Sequence, residues 1–269
     1  MTFDDPIPTL TERPRKSLHL LLTGKGGVGK SVVARLLAEF VRDTSGEAPL
    51  CFDADPVNAS FESVTTFGAK KINLLDNEQK VNASRFDSMM MKIVYEDRSV
   101  VIDSGASSYL ALFGYLEENH TIRLLKDRGF DVFLHTIITG GAAIDFTTKN
   151  FLDVTERFGG DAKIVAWLNH FWEPVERDER PFTEWQAYRS QSHRVHSILE
   201  IPRMAADTSG HDFSEMLKAN VSFDQVLSGE AGFNICVQSR LSFIRKAIFD
   251  AMLTTLLDVD AETGERLSA

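Results

Sequence analysis

Residues 24–31, "GKGGVGKS", place four glycines, two lysines and a serine in a single loop. The spacing is G-x-x-x-x-G-K-[ST]. Phosphate oxygens need several backbone N–H groups aimed at one point, and glycines let the chain curl around an anion with no Cβ in the way. A helix opening at the end of the loop adds unpaired N–H groups and the positive end of its dipole. Lys30 is then placed to reach the β- and γ-phosphates, and Ser31 to ligate Mg2+. Gly24, Lys25, Gly26, Gly27, Val28, Gly29, Lys30 and Ser31, with Val32 following, form the nucleotide-binding run. One lysine is enough to hold a phosphate, so Lys25 needs a separate explanation.

Hydrolysis also needs a metal and a placed water. "FDADPVNAS" supplies Asp53 and Asp55. In an extended chain positions i and i+2 face the same side, so both carboxylates can converge on one site. "VVIDSG" supplies Asp103 and Gly105 after a second apolar run, and Asn169 closes a third. Taken singly, each acid could be an ordinary cap after a strand; three of them beside a phosphate loop favour a site. His135 and His170 lack converging partners at metal-ligand spacing and read as hydrogen-bonded structural residues. Cys51 and Cys236 form neither a ligand cluster nor a disulfide framework. That points to a reducing cytoplasm.

The elements that must position these residues are legible as alternating runs. "LHLLLTG" (18–24) is a buried strand running into glycine, and 29–42 is a helix with Val32, Val33, Leu36, Leu37 and Phe40 on one side. Further strands are predicted at 48–55, 99–105, 131–141, 162–170 and 196–202. A helix carries Ile144, Phe151, Leu152 and Phe158 and stops at Gly159-Gly160. Strands alternating with helices imply an α/β fold, three layers α-β-α with a mostly parallel twisted sheet. Residues 171–195 are polar and aromatic-rich and read as an insertion or lid. Residues 237–257 form an amphipathic stretch, expected to pack on the domain rather than lie on a membrane.

The chain has 269 residues and a net charge of −10. That length permits a substantial core with no metal or disulfide staple. The organisation expected is a flexible arm over 1–16, one domain over 17–258 and a tail over 259–269. The acidic balance disfavours unassisted DNA binding, which draws its affinity from neutralising phosphates. No apolar run reaches transmembrane length, and the first residues lack a signal-peptide core. Membrane association is not expected.

The loop "KGGVGKS" resembles the deviant Walker A loop of the P-loop NTPase family that holds the Min-system ATPase, plasmid-partition ATPases, the nitrogenase iron protein and the arsenite-pump ATPase. The resemblance implies an ATP-dependent homodimer in which Lys25 reaches the nucleotide of the facing subunit, so Lys25, Lys30 and Asp55 carry the catalysis. It implies that Asp55 orients the attacking water, that Asp53 touches the Mg2+ shell, and that Asp103 holds Mg2+ with Ser31. It also implies that Gly105 offers its N–H to the γ-phosphate and that Asn169 and Pro202 flank an adenine base. No guanine-specific N-K-x-D follows Asn169. The redox branch needs cluster cysteines that two isolated ones do not supply. "DSGASSY" lacks the proline common in partition and Min proteins.

Together with "DADPVNASFE", "VIDSGASSYLALFGYL", "HTIITGGAA", "VAWLNHFW" and "DFSEMLKANVSFDQVL", the loop is similar to TraL-type conjugal-transfer ATPases over roughly residues 18–255. That likeness implies an ATP- and Mg2+-dependent bacterial cytoplasmic accessory to conjugal plasmid transfer, with a transfer-machinery component as partner. The alternatives are a partition-type ATPase that binds DNA through Arg189, Arg194 and Arg203 or touches a membrane surface, and a nucleotide-binding scaffold with negligible turnover.

Overall fold

The structure is a computed structural model that describes residues 15–58, 60–76, 78, 81–265 and 267. Most of the arm expected over 1–16 lies outside them. The chain opens on β1 (Ser17–Leu21), followed by α1 (Lys30–Ser45), β2 (Leu50–Ala54), a short β3 (Lys70–Lys71) and α2 (Phe86–Val94). Then come β4 (Val100–Ser104), α3 (Tyr109–Glu118), α4 (Thr121–Asp127), β5 (Asp131–Thr139), α5 (Ile144–Phe158) and β6 (Lys163–Asn169). A small hairpin, β7 (Glu176–Arg177) and β8 (Arg180–Pro181), leads through α6 (Gln186–Gln191) to β9 (Val195–Ile201). Three helices follow: α7 (Ser209–Lys218), α8 (Phe223–Leu227) and α9 (Ile235–Leu256).

The main sheet has seven strands in the order β3-β2-β4-β1-β5-β6-β9, and every pairing in it is parallel. The sheet is thus wholly rather than mostly parallel. Its central strands are buried on both faces, which is why β1, β2 and β4 read as largely apolar runs. One face carries Leu21, Val101, Ile137 and Trp167 under α1, α7, α8 and α9. The other carries Leu20, Phe52, Ile102 and Leu134 under α2, α3 and α4, with Val154 and Phe158 of α5. This is the three-layer α-β-α architecture of P-loop NTPases, with the glycine loop joining central strand β1 to α1.

Within residues 171–195, the stretch from Val175 to Trp185 packs as a cover on the sheet. Val175, Phe182 and Trp185 are buried with Phe151 of α5 and with Ile138, Ala166 and Leu168 of the sheet, and Phe182 meets Phe151 edge-on at 5.2 Å. The apolar face of α9 is covered too: Leu241, Ile244, Ile248, Met252 and Leu256 are all buried. The core continues past residue 258, because Val259 is buried and its N–H donates to the Leu253 carbonyl. No helix among the described residues is long and apolar enough to cross a membrane.

A chain of polar groups crosses the core side of the sheet. The Trp167 indole N–H donates to His135 Nδ1 at 3.0 Å. Indole can only donate, so His135 carries its proton on Nε2 and gives it to His19 Nδ1, 3.0 Å away. His19 Nε2–H then donates to Ser17 Oγ at 2.9 Å. Burial lowers the His19 pKa to about 3 and pushes that of His135 well below the ordinary value. His170 accepts the Val175 N–H at Nδ1. Both sequence-flagged histidines therefore hold structure.

Candidate functional site

The glycine loop wraps the C-terminal end of β1 and opens α1. Gly27 and Gly29 have φ of 75° and 103°, the left-handed region that suits glycine, and Gly29 is the residue before the first helical turn. A Cβ on Gly29 would lie 2.7 Å from Asn169 Nδ2, so the close approach of β6 to the loop requires glycine there. Gly24 is fixed by its N–H, which donates to Asn150 Oδ1 at 2.9 Å. Val28 turns its side chain into the core, and its carbonyl accepts from Asn169 Nδ2 at 2.9 Å.

A cleft of ≈ 610 Å³ opens beside this loop. Of the sequence-flagged residues, Gly26, Gly27, Gly29, Lys30, Ser31, Val32, Asp55, Asp103 and Asn169 line it. Lys30 is buried, and its Nζ donates to the Lys25 carbonyl at 2.8 Å, so the ammonium is folded onto the loop itself. Burial lowers its pKa, and the carboxylates of Asp103 and Asp55 pull the other way. Ser31 Oγ donates to Asp103 Oδ2 at 2.5 Å and lies 2.6 Å from Ser60 Oγ.

Asp103 is buried, and its Oδ1 has no hydrogen-bond partner among the described residues. Burial pushes its pKa up to about 7, against the Ser31 hydrogen bond. A buried oxygen without a partner costs free energy, on the order of 1–3 kcal/mol. Beside a serine hydroxyl it forms a hard-oxygen donor pair that suits Mg2+.

Other flagged residues are committed elsewhere. Asp53, opposite Asp103 in the β2–β4 register, accepts the Asp55 N–H at Oδ1 and those of Phe61 and Glu62 at Oδ2. Its carboxylate shapes the loop after β2 and does not line the cleft. Asp55 Oδ1 accepts from Val57 and Asn58 N–H. Gly105 packs so close to Asp55 that a Cβ would lie 2.6 Å from its Cγ, while its N–H faces the Ala54 carbonyl at 3.4 Å. Asn169 is bonded on both sides, because its Oδ1 accepts the Phe171 N–H at 3.1 Å. It braces the loop with one N–H and one lone pair, and one of each remains on a side chain that lines the cleft. Pro202 stands half-buried after β9, off the cleft wall, where Ile201 takes its place. Lys25 is exposed on the rim.

The sequence reading missed the far wall. Phe171, Trp172, Phe213 and Leu217 line it, with Arg35 and Ser60 on the near side. Arg35 follows Ser31 by one helical turn and could have been found from that spacing. Phe213 and Leu217 share the same i, i+4 relation on α7, but nothing local places α7 over the loop.

No family model matches the chain. It is similar to two curated proteins from Escherichia coli, each named Protein TraL. One is 37% identical over 235 residues, 87% of this chain and 96% of that protein. The other is 36% identical over 232 residues, 86% and 95%. Among solved structures, a plasmid partition protein from Borrelia burgdorferi aligns with a TM-score of 0.42 at 15% identity over 77% of this chain and 97% of its own. A nucleotide-binding protein in complex with ADP from Archaeoglobus fulgidus aligns with a TM-score of 0.40 at 19% identity, over 76% and 87%. Identity above one third along nearly the whole length of both curated proteins means that the chain belongs to the TraL family.

Proposed function

We propose that this chain is an Mg2+- and ATP-dependent switch that hydrolyses ATP slowly, acts in the bacterial cytoplasm and serves conjugal plasmid transfer. The observation that carries the reading is the open cleft at the start of α1, where the buried Lys30, Ser31 and an Asp103 oxygen without a partner meet. Lys30 would leave the Lys25 carbonyl for the β- and γ-phosphates, exchanging a neutral acceptor for an anionic one. Bound Mg2+ would neutralise charge on the phosphate oxygens. Ser31 and Asp103 would hold it, so the Ser31 lone pair that now faces the Ser60 hydroxyl must turn to the cation. Asp55 is held by two loop amides through one oxygen, and the other is offered to the attacking water.

Lys25 would supply the deviant Walker A lysine to a facing subunit. Support comes from the rim: Lys25 is exposed, and the cleft residues Val57 and Trp172 are 69% and 74% exposed, an apolar edge that a second copy would cover. The resemblance to conjugal-transfer ATPases supplies the biological setting, with a transfer-machinery component as partner. With a charge of −10, recruitment through a protein is favoured over direct DNA binding.

Sedimentation with ADP and with a slowly hydrolysed ATP analogue tests the reading, alongside phosphate release. Wild type is expected to dimerise with the triphosphate analogue and Lys25→Ala to stay monomeric. Dimers of equal strength in both proteins, or none in wild type, would remove the switch.

A further inference from the structure

Ser60 ends the "FDADPVNAS" run but takes no role from the sequence, yet its hydroxyl reaches the centre of the site. Ser31 has one hydroxyl proton and gives it to Asp103 Oδ2 at 2.5 Å. The 2.6 Å contact between Ser31 Oγ and Ser60 Oγ must therefore run from the Ser60 hydroxyl to the Ser31 oxygen. Three side chains thus stand in a row, Ser60, Ser31 and Asp103, ending on a buried oxygen without a partner. When Ser31 gives its lone pair to a cation, the Ser60 proton loses its acceptor. The Ser60 oxygen is left beside the Ser31 oxygen, and as a hard donor it would suit the same cation.

The segment that carries Ser60 is held from three sides. Arg35 donates to the Ser60 carbonyl at 2.9 Å, and Ser63 Oγ donates to it at 2.7 Å. Asp53 Oδ2 accepts the N–H groups of the next two residues, Phe61 and Glu62, at 2.9 and 3.0 Å. Arg35 also donates to the Leu217 carbonyl at 3.1 Å, which ties the segment to the end of α7. A hydroxyl presented this firmly, on the wall of the cleft, is built for more than capping a turn.

We infer that Ser60 is a third protein oxygen for the divalent cation of this site, presented by Asp53 and Arg35. The inference rests on the proposed Mg2+–nucleotide reading. It gives Asp53 an indirect role: its carboxylate acts through the loop it holds rather than on the metal.

Mn2+ titration of the full-length, ADP-bound protein, followed by electron paramagnetic resonance, tests it. Ser60→Ala is expected to weaken Mn2+ by about tenfold while ADP affinity in EDTA stays at the wild-type value. That second measurement also reports that the variant is folded. Ser60→Thr keeps the hydroxyl and is expected to retain Mn2+, and Ser60→Cys is expected to favour Cd2+ over Mn2+. Wild-type Mn2+ affinity in Ser60→Ala, with no Cd2+ preference in Ser60→Cys, overturns the inference and leaves the nucleotide reading standing. Wild-type protein that binds neither ADP nor Mn2+ overturns both.

Discussion

Two buried polar networks sit on this sheet, and they are finished differently. In mid-sheet, Trp167, His135, His19 and Ser17 form a closed chain in which both nitrogens of both imidazoles are matched. At the C-terminal edge, Lys30, Ser31 and Asp103 form an open one: the ammonium rests on a loop carbonyl, and Asp103 Oδ1 has no partner among the described residues. A buried polar group left unmatched costs free energy, so an open network that lines a cleft points to a ligand that completes it. The closed network has nothing to offer a ligand. The difference separates a stabilising device from a binding device without reference to any motif.

The largest expected effect lies on the open side. Lys30→Met removes a buried cation whose partner would be a polyanion, and ATP affinity should fall by roughly 2–5 kcal/mol. Calorimetry with Mg2+-ATP reads it, and unchanged affinity would falsify the assignment of the loop. The closed side should show the reverse pattern. His135→Phe strands the Trp167 N–H and His19 Nδ1, and stability should drop by about 2–4 kcal/mol. Urea midpoints measure that loss, while ATP affinity of the folded variant should stay as in wild type. If affinity fell in step with stability, the two networks would not be separable.

Asn169 tests the boundary between them, because both ends of its amide bond to backbone while it braces the open loop. Asn169→Ala frees the Val28 carbonyl and the Phe171 N–H, at a cost of about 1–2 kcal/mol in nucleotide affinity. The loss should be equal for ATP and GTP if bracing the loop is the whole role of the amide. Competition binding reads the ratio. A selective loss of ATP would restore base recognition to this side chain.

The same contrast explains what the sequence disclosed. The phosphate loop was legible because its glycine positions and its lysine are local requirements, met within eight residues. The central strands were legible because burial on both faces leaves a largely apolar run, and the inner face of α9 because Leu241, Ile244, Ile248, Met252 and Leu256 repeat at helical spacing. The destinations of single polar atoms were not. Asp53 looks like a ligand until the loop returns Phe61 and Glu62 to it, and no local signal shows that the Asn169 amide reaches the Val28 carbonyl. The far wall was hidden for a related reason: Phe213 joins Lys30 only through the packing of α7 beside α1. The aromatic residues of 171–195 suggested an insertion or lid, and where they pack was not legible: Phe182 meets Phe151, and the Trp185 N–H donates to the Arg180 carbonyl.

The smallest effect separates the networks by the sign of their response to pH. Burial raises the Asp103 pKa from 3.8 to about 7, so the folded protein binds the extra proton between those values. Its contribution to stability is full below 3.8 and is lost as pH rises through about 7. Burial lowers the His19 pKa from 6.5 to about 3, and there the unfolded chain binds the proton first. That contribution is full above 6.5 and is lost as pH falls toward 3. Lowering the pH from the alkaline side should therefore first raise stability through Asp103 and then lower it through His19. Asp103→Asn removes the first limb only. Glu39, raised to about 8 chiefly by burial, adds a limb of the same sign, but it is present in both proteins and cancels in their difference. Between pH 7.5 and 6.5 wild type should gain about half a kcal/mol over the variant, read from urea midpoints at each pH without nucleotide or metal. Below pH 6 the histidine limb should persist in both. A difference curve that stayed flat across neutrality would mean that Asp103 is already matched in solution, and the edge network would then be as closed as the one in mid-sheet.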